Sequence, residues 1–204
     1  MKTFVKFLTY VILPVVIIFL AYLIVDSIEQ PVRFKKQSAD RQEVAKQRLI
    51  DIRTLQEAYK TEYGRFLSTT DSLINFYKHD SITIVKQIGS MDDSLAVAQN
   101  RVKTYKLRFA VADTLLKNSL VPIDSIKFIP YSGGVPIELK SIVKSVSGVN
   151  VPLFEASMPY DNFLKGLDRQ LIVNLKASKE DLGRYPGLKV GSITSPNNNA
   201  GNWE

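Results

Sequence analysis

The sequence predicts an α+β fold with a single N-terminal transmembrane helix, a long amphipathic helix and an antiparallel β-sheet. Three observations point there. Residues 7–25, FLTYVILPVVIIFLAYLIV, carry no charge. Residues 38–64 repeat apolar side chains at three- and four-residue spacing, and residues 65–195 hold short alternating runs separated by turn formers. The chain has 204 residues, 45% apolar and 23% charged, which suits one folded domain plus an anchor. With no Cys and only one His, His79, this sequence has no disulfide, no thiolate or multi-His metal centre and no Cys nucleophile.

The uncharged run comes first. At about 1.5 Å per residue a helix over 7–25 is roughly 28 Å long, close to the hydrocarbon thickness of a bilayer. Tyr10 and Tyr22 lie near its ends, where amphipathic rings favour headgroups, and Pro14 falls within it as an expected kink. A cleaved signal peptide is the rival, since Lys2 and Lys6 precede the run. The apolar core is longer than such peptides carry and no A-x-A-like site follows, which favours a retained anchor. A short tail (1–6), an anchor (7–25) and a long folded region match a signal-anchor layout. The expectation is a single-pass protein of the cytoplasmic (inner) membrane, its C-terminal domain periplasmic and the lipid bilayer its first partner. Residues 33–65 carry nine basic and five acidic side chains, residues 66–204 sixteen and thirteen. The surplus beside the membrane suits anionic headgroups or a solvated helix face. No dense basic tract or binding motif supports nucleic acid as a partner.

After the anchor, 26–37 reads as a juxtamembrane linker, because the residue before Pro31 avoids the α region. Ser38 or Asp40 would then cap a new helix that ends at Gly64, the left-handed C′ residue. Ala45, Leu49, Ile52, Leu55, Tyr59 and Tyr63 form one face of it. That stripe would pack on the chain's own core or against another subunit. A short helix is expected over 72–78 and another over 160–167. Strands are expected over 81–88, 101–111, 125–130, 137–146, 153–156, 171–177 and 188–193, forming one antiparallel sheet that the helix covers. The last stretch, 196–204, is rich in turn formers and reads as a surface loop or frayed tail. Its Trp203, the only Trp, either folds back on the domain or is offered to a partner.

Within 45–74 the text AKQRLIDIRTLQEAYKTEYGRFLSTTDSLI carries Asp51, Ile52, Thr54, Leu55 and Ala58, then Tyr59, Gly64 and Phe66. These resemble the exported end of the N-terminal helix in type II secretion pseudopilins and type IV pilins, D-[LI]-x-T-[LI]-x-x-A followed by Y-x-x-x-x-G-x-[FY]. The two halves match in different registers. The prepilin peptidase motif is absent: residues 1–8 contain no Gly and the apolar run no Glu. The resemblance implies a pilin-like domain on a permanent anchor, working in a secretion or surface-structure assembly. The ending GRYPGLKVGS…NNNAGNWE is also similar to envelope proteins of Bacteroidota.

No motif carries catalysis. Asp92-Asp93 and Glu180-Asp181 sit beside turn glycines, and His79-Asp80 lacks a G-x-S-x-G partner. Ser132-Gly133-Gly134 is not a phosphate loop. Asn197, Asn198 and Asn199 stand where the calcium loops of some pseudopilins hold carboxylates, so no metal or cofactor is expected. The first expectation is therefore a non-enzymatic envelope component that assembles with other envelope proteins or with itself. Its candidate interface is Leu49, Ile52, Leu55, Tyr59, Arg184, Tyr185 and Trp203. The alternative is an anchored ligand- or glycan-binding domain in which Tyr160, Tyr185 and Trp203 stack on a sugar.

Overall fold

The computed structural model describes residues 8–88, 103–117, 119, 121–146 and 148–204. The fold is α+β, with a long N-terminal helix whose first part is apolar and two small antiparallel sheets. Helix α1 (Leu13–Tyr63) has 51 residues, about 77 Å of rise. A π-helical turn, Leu8–Ile12, precedes it. Pro14 thus falls in the first turn of α1, where its missing N–H costs no bond. The expected mid-span kink becomes a join between two helix types.

α1 runs unbroken through Pro31, so the interruption expected at Gln30-Pro31 and the N-cap at Ser38 or Asp40 do not occur. A proline inside a helix costs about 3 kcal/mol. Breaking the rod would expose the unbonded N–H and C=O groups of two new ends and require a second nucleation, a larger penalty. Arg33 bridges across the proline to Asp26 at 3.2 Å and Glu29 at 3.5 Å. Ser38, freed from capping, is buried and donates to the Lys35 carbonyl at 3.1 Å. Gly64 closes the helix as expected, left-handed at φ 72° with its N–H on the Lys60 carbonyl.

Beyond Gly64 come α2 (Thr70–His79), β1 (Ser81–Ile88), β2 (Lys103–Ala110), α3 (Val111–Thr114), β3 (Glu138–Val146), β4 (Val149–Pro159), α4 (Tyr160–Phe163), α5 (Arg169–Glu180) and β5 (Gly187–Gly191). β3, β4 and β5 form one antiparallel sheet in that order, and β1 and β2 pair separately. The single sheet expected over 65–195 is therefore two. Residues 171–177, expected as a strand, lie in α5. Asp168 caps that helix by accepting from the Leu171 N–H at 2.9 Å, and its inward side chains, Ile172 and Leu175, are three apart. The continuous apolar run Leu171-Ile172-Val173 hid a helical period. Residues 125–130 form no strand either. A 3-10 turn occupies Ile123–Ser125, and Phe128 pairs with Pro136 as an isolated bridge.

The C-terminal half of α1 lies against β4 and β5. Ala45, Leu49, Ile52 and Leu55 are fully buried and Tyr59 nearly so, packed with Leu73 and Phe76 of α2, Phe154, Ala156 and Met158 of β4 and Leu188 and Val190 of β5. Each such side chain contributes about 1.5–3 kcal/mol of transfer free energy. Gln56, fully buried among them, donates from Nε2 to the Leu67 carbonyl at 2.8 Å and accepts from the Leu67 N–H at 2.9 Å. This pair of bonds fastens the chain after Gly64 back onto α1.

Candidate functional site

A cleft of about 460 Å³ opens where α1, the loop after α5, β5 and the C-terminal segment meet. Its formation can be followed residue by residue. α5 ends in a turn in which the Lys179 carbonyl accepts from the N–H groups of Leu182 and Arg184, with Gly183 at φ 63°. The chain then bends tightly through Tyr185-Pro186-Gly187, the Gly187 N–H returning to the Tyr185 carbonyl at 2.9 Å. A Cβ on Gly187 would lie 2.3 Å from the Met158 carbonyl oxygen and 2.8 Å from the Tyr185 ring. Only glycine lets that ring sit against the sheet.

The C-terminal segment supplies the opposite wall. It is not frayed. Asn198 and Asn199 take the left-handed conformation, at φ 54° and 57°, that Asn tolerates better than most side chains. The chain thus turns back beside β5: Val190 bridges Gly201, the Asn202 N–H donates to the Lys189 carbonyl, and the Asn202 side chain bonds both Lys189 and Gly187. Asn199 Nδ2 reaches Glu57 at 3.1 Å, and the Glu204 carboxylate meets Arg53 at 2.7 Å. A Cβ on Gly201 would lie 2.5 Å from the Trp203 ring. Trp203 thus folds back onto the domain, and each of the two aromatics rests on a glycine.

Among the described residues, four basic side chains, Lys46, Lys179, Arg184 and Lys189, line the cleft and no acidic one does. Lys46 is held by Glu43 at 3.3 Å, and Lys189 by Glu155 at 3.4 Å, with its Nζ 5.9 Å from the Tyr185 ring centre. Lys179 and Arg184 have no side-chain hydrogen bond or ion pair among the described residues. Tyr160 forms part of the floor and is almost completely buried. Burial raises the phenol pKa of both Tyr160 and Tyr185. Both phenols therefore stay neutral near pH 7, a state in which they can donate a hydrogen bond without repelling an anion.

The structure divides the residues singled out in the sequence. Arg184, Tyr185 and Trp203, together with Tyr160, converge on this cleft. Leu49, Ile52, Leu55 and Tyr59, expected as interface, lie in the chain's own core and offer no free face. Gln42, Lys46, Lys179 and Lys189 were missed, because single polar residues scattered along the chain leave no local pattern; Asn202 was singled out only as part of the 197–203 loop. Asp80 lies beside Tyr63, whose phenol pKa is raised first by desolvation and then by that carboxylate, and Glu180-Asp181 closes α5 as an exposed turn. Asp92-Asp93 lies outside the described residues. Among the described residues no group of three or more His, Asp or Glu is placed to hold a metal.

A second exposed feature is the β1–β2 pair. Its register, Ile82 opposite Phe109, Ile84 opposite Leu107 and Lys86 opposite Tyr105, gathers apolar residues on one face, with Thr83, Arg108, Lys106 and Thr104 on the other. Ile84, Tyr105, Leu107 and Phe109 are about two-fifths exposed. The pair is tied to α1 by Thr83, whose N–H and hydroxyl donate to Glu62.

The first part of α1 is long and apolar enough to cross a membrane, and none of it is buried inside the domain. No family model, curated protein or solved structure matches the chain. The pseudopilin resemblance of residues 45–74 thus rests on its motif alone.

Proposed function

We propose that this is a non-enzymatic envelope protein, anchored by residues 7–25, whose domain lies in the periplasm and binds a ligand in the basic, aromatic-walled cleft. The observation that carries this reading is the convergence of Tyr185, Trp203, Lys179 and Arg184 on one concave site. Concave sites with a few convergent polar groups are where small ligands bind. Trp203 is the chain's only tryptophan, so its emission reports the cleft alone. Titrating the full-length protein in detergent micelles with an oligosaccharide panel should shift that emission for at least one member. Silence across the panel, with no calorimetric heat, would remove the reading. The placement is checked separately. Because the chain has no Cys, Ser145→Cys in β3 gives one labelling site, which a membrane-impermeant maleimide should reach in cells with a permeabilised outer membrane. Protection until the inner membrane is lysed would reverse the orientation.

Assembly with other envelope proteins, or self-association, is a second reading, supported by the exposed apolar face of β1–β2 and the pseudopilin-like text at 45–74. The unbroken α1 also agrees with it, since pilin helices run nearly continuously from membrane to domain. A two-stranded sheet is marginal by itself in water, and a partner on its apolar face would stabilise it. Leu107→Asp should abolish cross-linking to that partner and leave the thermal transition of the domain in place. Cross-links unchanged in this variant would discard the face as an interface.

A further inference from the structure

Resting on the reading of the cleft as a binding site, we infer that its ligand is an anionic saccharide, a sugar ring bearing a carboxylate or a phosphate monoester. The sign comes from the lining: four cations, no acid, and two of the cations, Lys179 and Arg184, without an ion-pair partner among the described residues. Lys179 is half-buried and Arg184 exposed at the rim, and like charges gathered around one concave surface draw an anion to it. The ring comes from the walls. Tyr185 and Trp203 are pinned against Gly187 and Gly201, so they present fixed apolar surfaces on which the C–H face of a pyranose packs with little ordering cost. Gln42 on the α1 wall has no hydrogen-bond partner among the described residues and supplies an amide for a hydroxyl.

The same geometry argues against other anions. α5 presents its C-terminal end here, and the one-turn α4 spends its first N–H, that of Tyr160, on the Pro186 carbonyl, so no long helix offers its N-terminus to a polyphosphate. An extended acidic peptide would look for an open strand edge, but the free side of β5 at the cleft is taken by Gly201 and Asn202. Headgroups of the anchoring bilayer are out of reach. Gln42 and Lys46 lie about 25–32 Å along α1 from Val25, at 1.5 Å per residue.

The test uses the full-length protein in nanodiscs of neutral lipid, read by Trp203 emission and calorimetry. The probes are a trigalacturonate, glucose 6-phosphate, a neutral galactose trisaccharide, inorganic phosphate, an acidic peptide and vesicles containing phosphatidylglycerol. The expected result is that the trigalacturonate or the sugar phosphate binds at least about tenfold tighter than any other probe. Arg184→Gln and Lys179→Gln should each weaken it about tenfold, as the loss of a charge-assisted contact does. Lys165→Gln, an exposed cation outside the cleft, should change nothing. Affinity should fall as salt rises towards about 0.5 M. Equal binding of the neutral trisaccharide, insensitive to Arg184→Gln, would overturn the anionic inference and leave the binding module standing. Equal binding of phosphate alone, the acidic peptide or the vesicles would overturn the saccharide. Binding of nothing would overturn the module itself.

Discussion

The two halves of α1 are one continuous helix with opposite surroundings. From Leu13 to Arg33 every side chain with described burial is exposed, although the first half of that stretch is almost wholly apolar; farther on, Ala45, Leu49, Ile52, Leu55 and Tyr59 are buried. The apolar residues of the first half surround the axis, those of the second keep to one stripe. An all-round apolar helix of this length suits lipid as its solvent, whereas a striped one needs a sheet. The same backbone can serve both because a helix satisfies its own N–H and C=O groups in either medium.

The largest effect that would break this contrast comes from one charge placed in each half. Ile52→Asp puts a carboxylate into the packed core and should abolish the thermal transition of the domain, a loss of more than about 4 kcal/mol. Ile18→Asp should leave that transition intact in detergent and reduce the fraction of protein found in membranes. If both variants unfold the domain, the halves are not independent.

Gln56→Leu comes next. It removes both bonds to Leu67 and leaves a half-buried N–H and C=O unpaired, which should cost about 1–3 kcal/mol in chemical denaturation. Pro31→Ala acts at the join of the halves. It restores the missing backbone bond, so amide exchange around residues 27–31 should slow while the domain's denaturation midpoint moves by less than about 0.5 kcal/mol. The smallest effect is at the C-terminal segment. Hydrogen bonding to Arg53 lowers the Glu204 pKa below its ordinary value of 4.5. The lowered carboxyl stabilises the docked segment above about pH 4.5 and loses that contribution as pH falls through its folded value. Trp203 emission should therefore change on acidification below pH 4.5, and Glu204→Gln should abolish this step.

How much of this was legible depended on the range of the interaction. The end of α1 at Gly64 and the strand at 81–88 rest on local periodicity or turn chemistry and are found; the strand expected over 188–193 is found as 187–191, and the stripe is buried from Ala45 to Tyr59 while its last expected member, Tyr63, is exposed. Pro31 misled because its local penalty is real but smaller than the cost of two helix ends. Residues 171–177 misled because the apolar run Leu171-Ile172-Val173 outweighed the cap at Asp168. In the cleft, the aromatic and Arg184 positions stood out as unusual residues in turns. Lys46, Lys179 and Lys189 did not, since nothing local distinguishes a lysine that faces a cleft from one that faces water.

By itself, the order of residues determined the apolar first part of α1, the helical stripe and the α+β class, because each follows from patterns that neighbouring residues impose through backbone geometry and hydrophobic burial. Tertiary structure alone decided that the strands divide into two sheets and that the asparagine-rich segment docks as a wall of the cleft. The docking depends on bonds between residues as distant as Arg53 and Glu204 or Glu57 and Asn199. Such pairs are set by how the whole chain closes on its core, and no local window contains both partners.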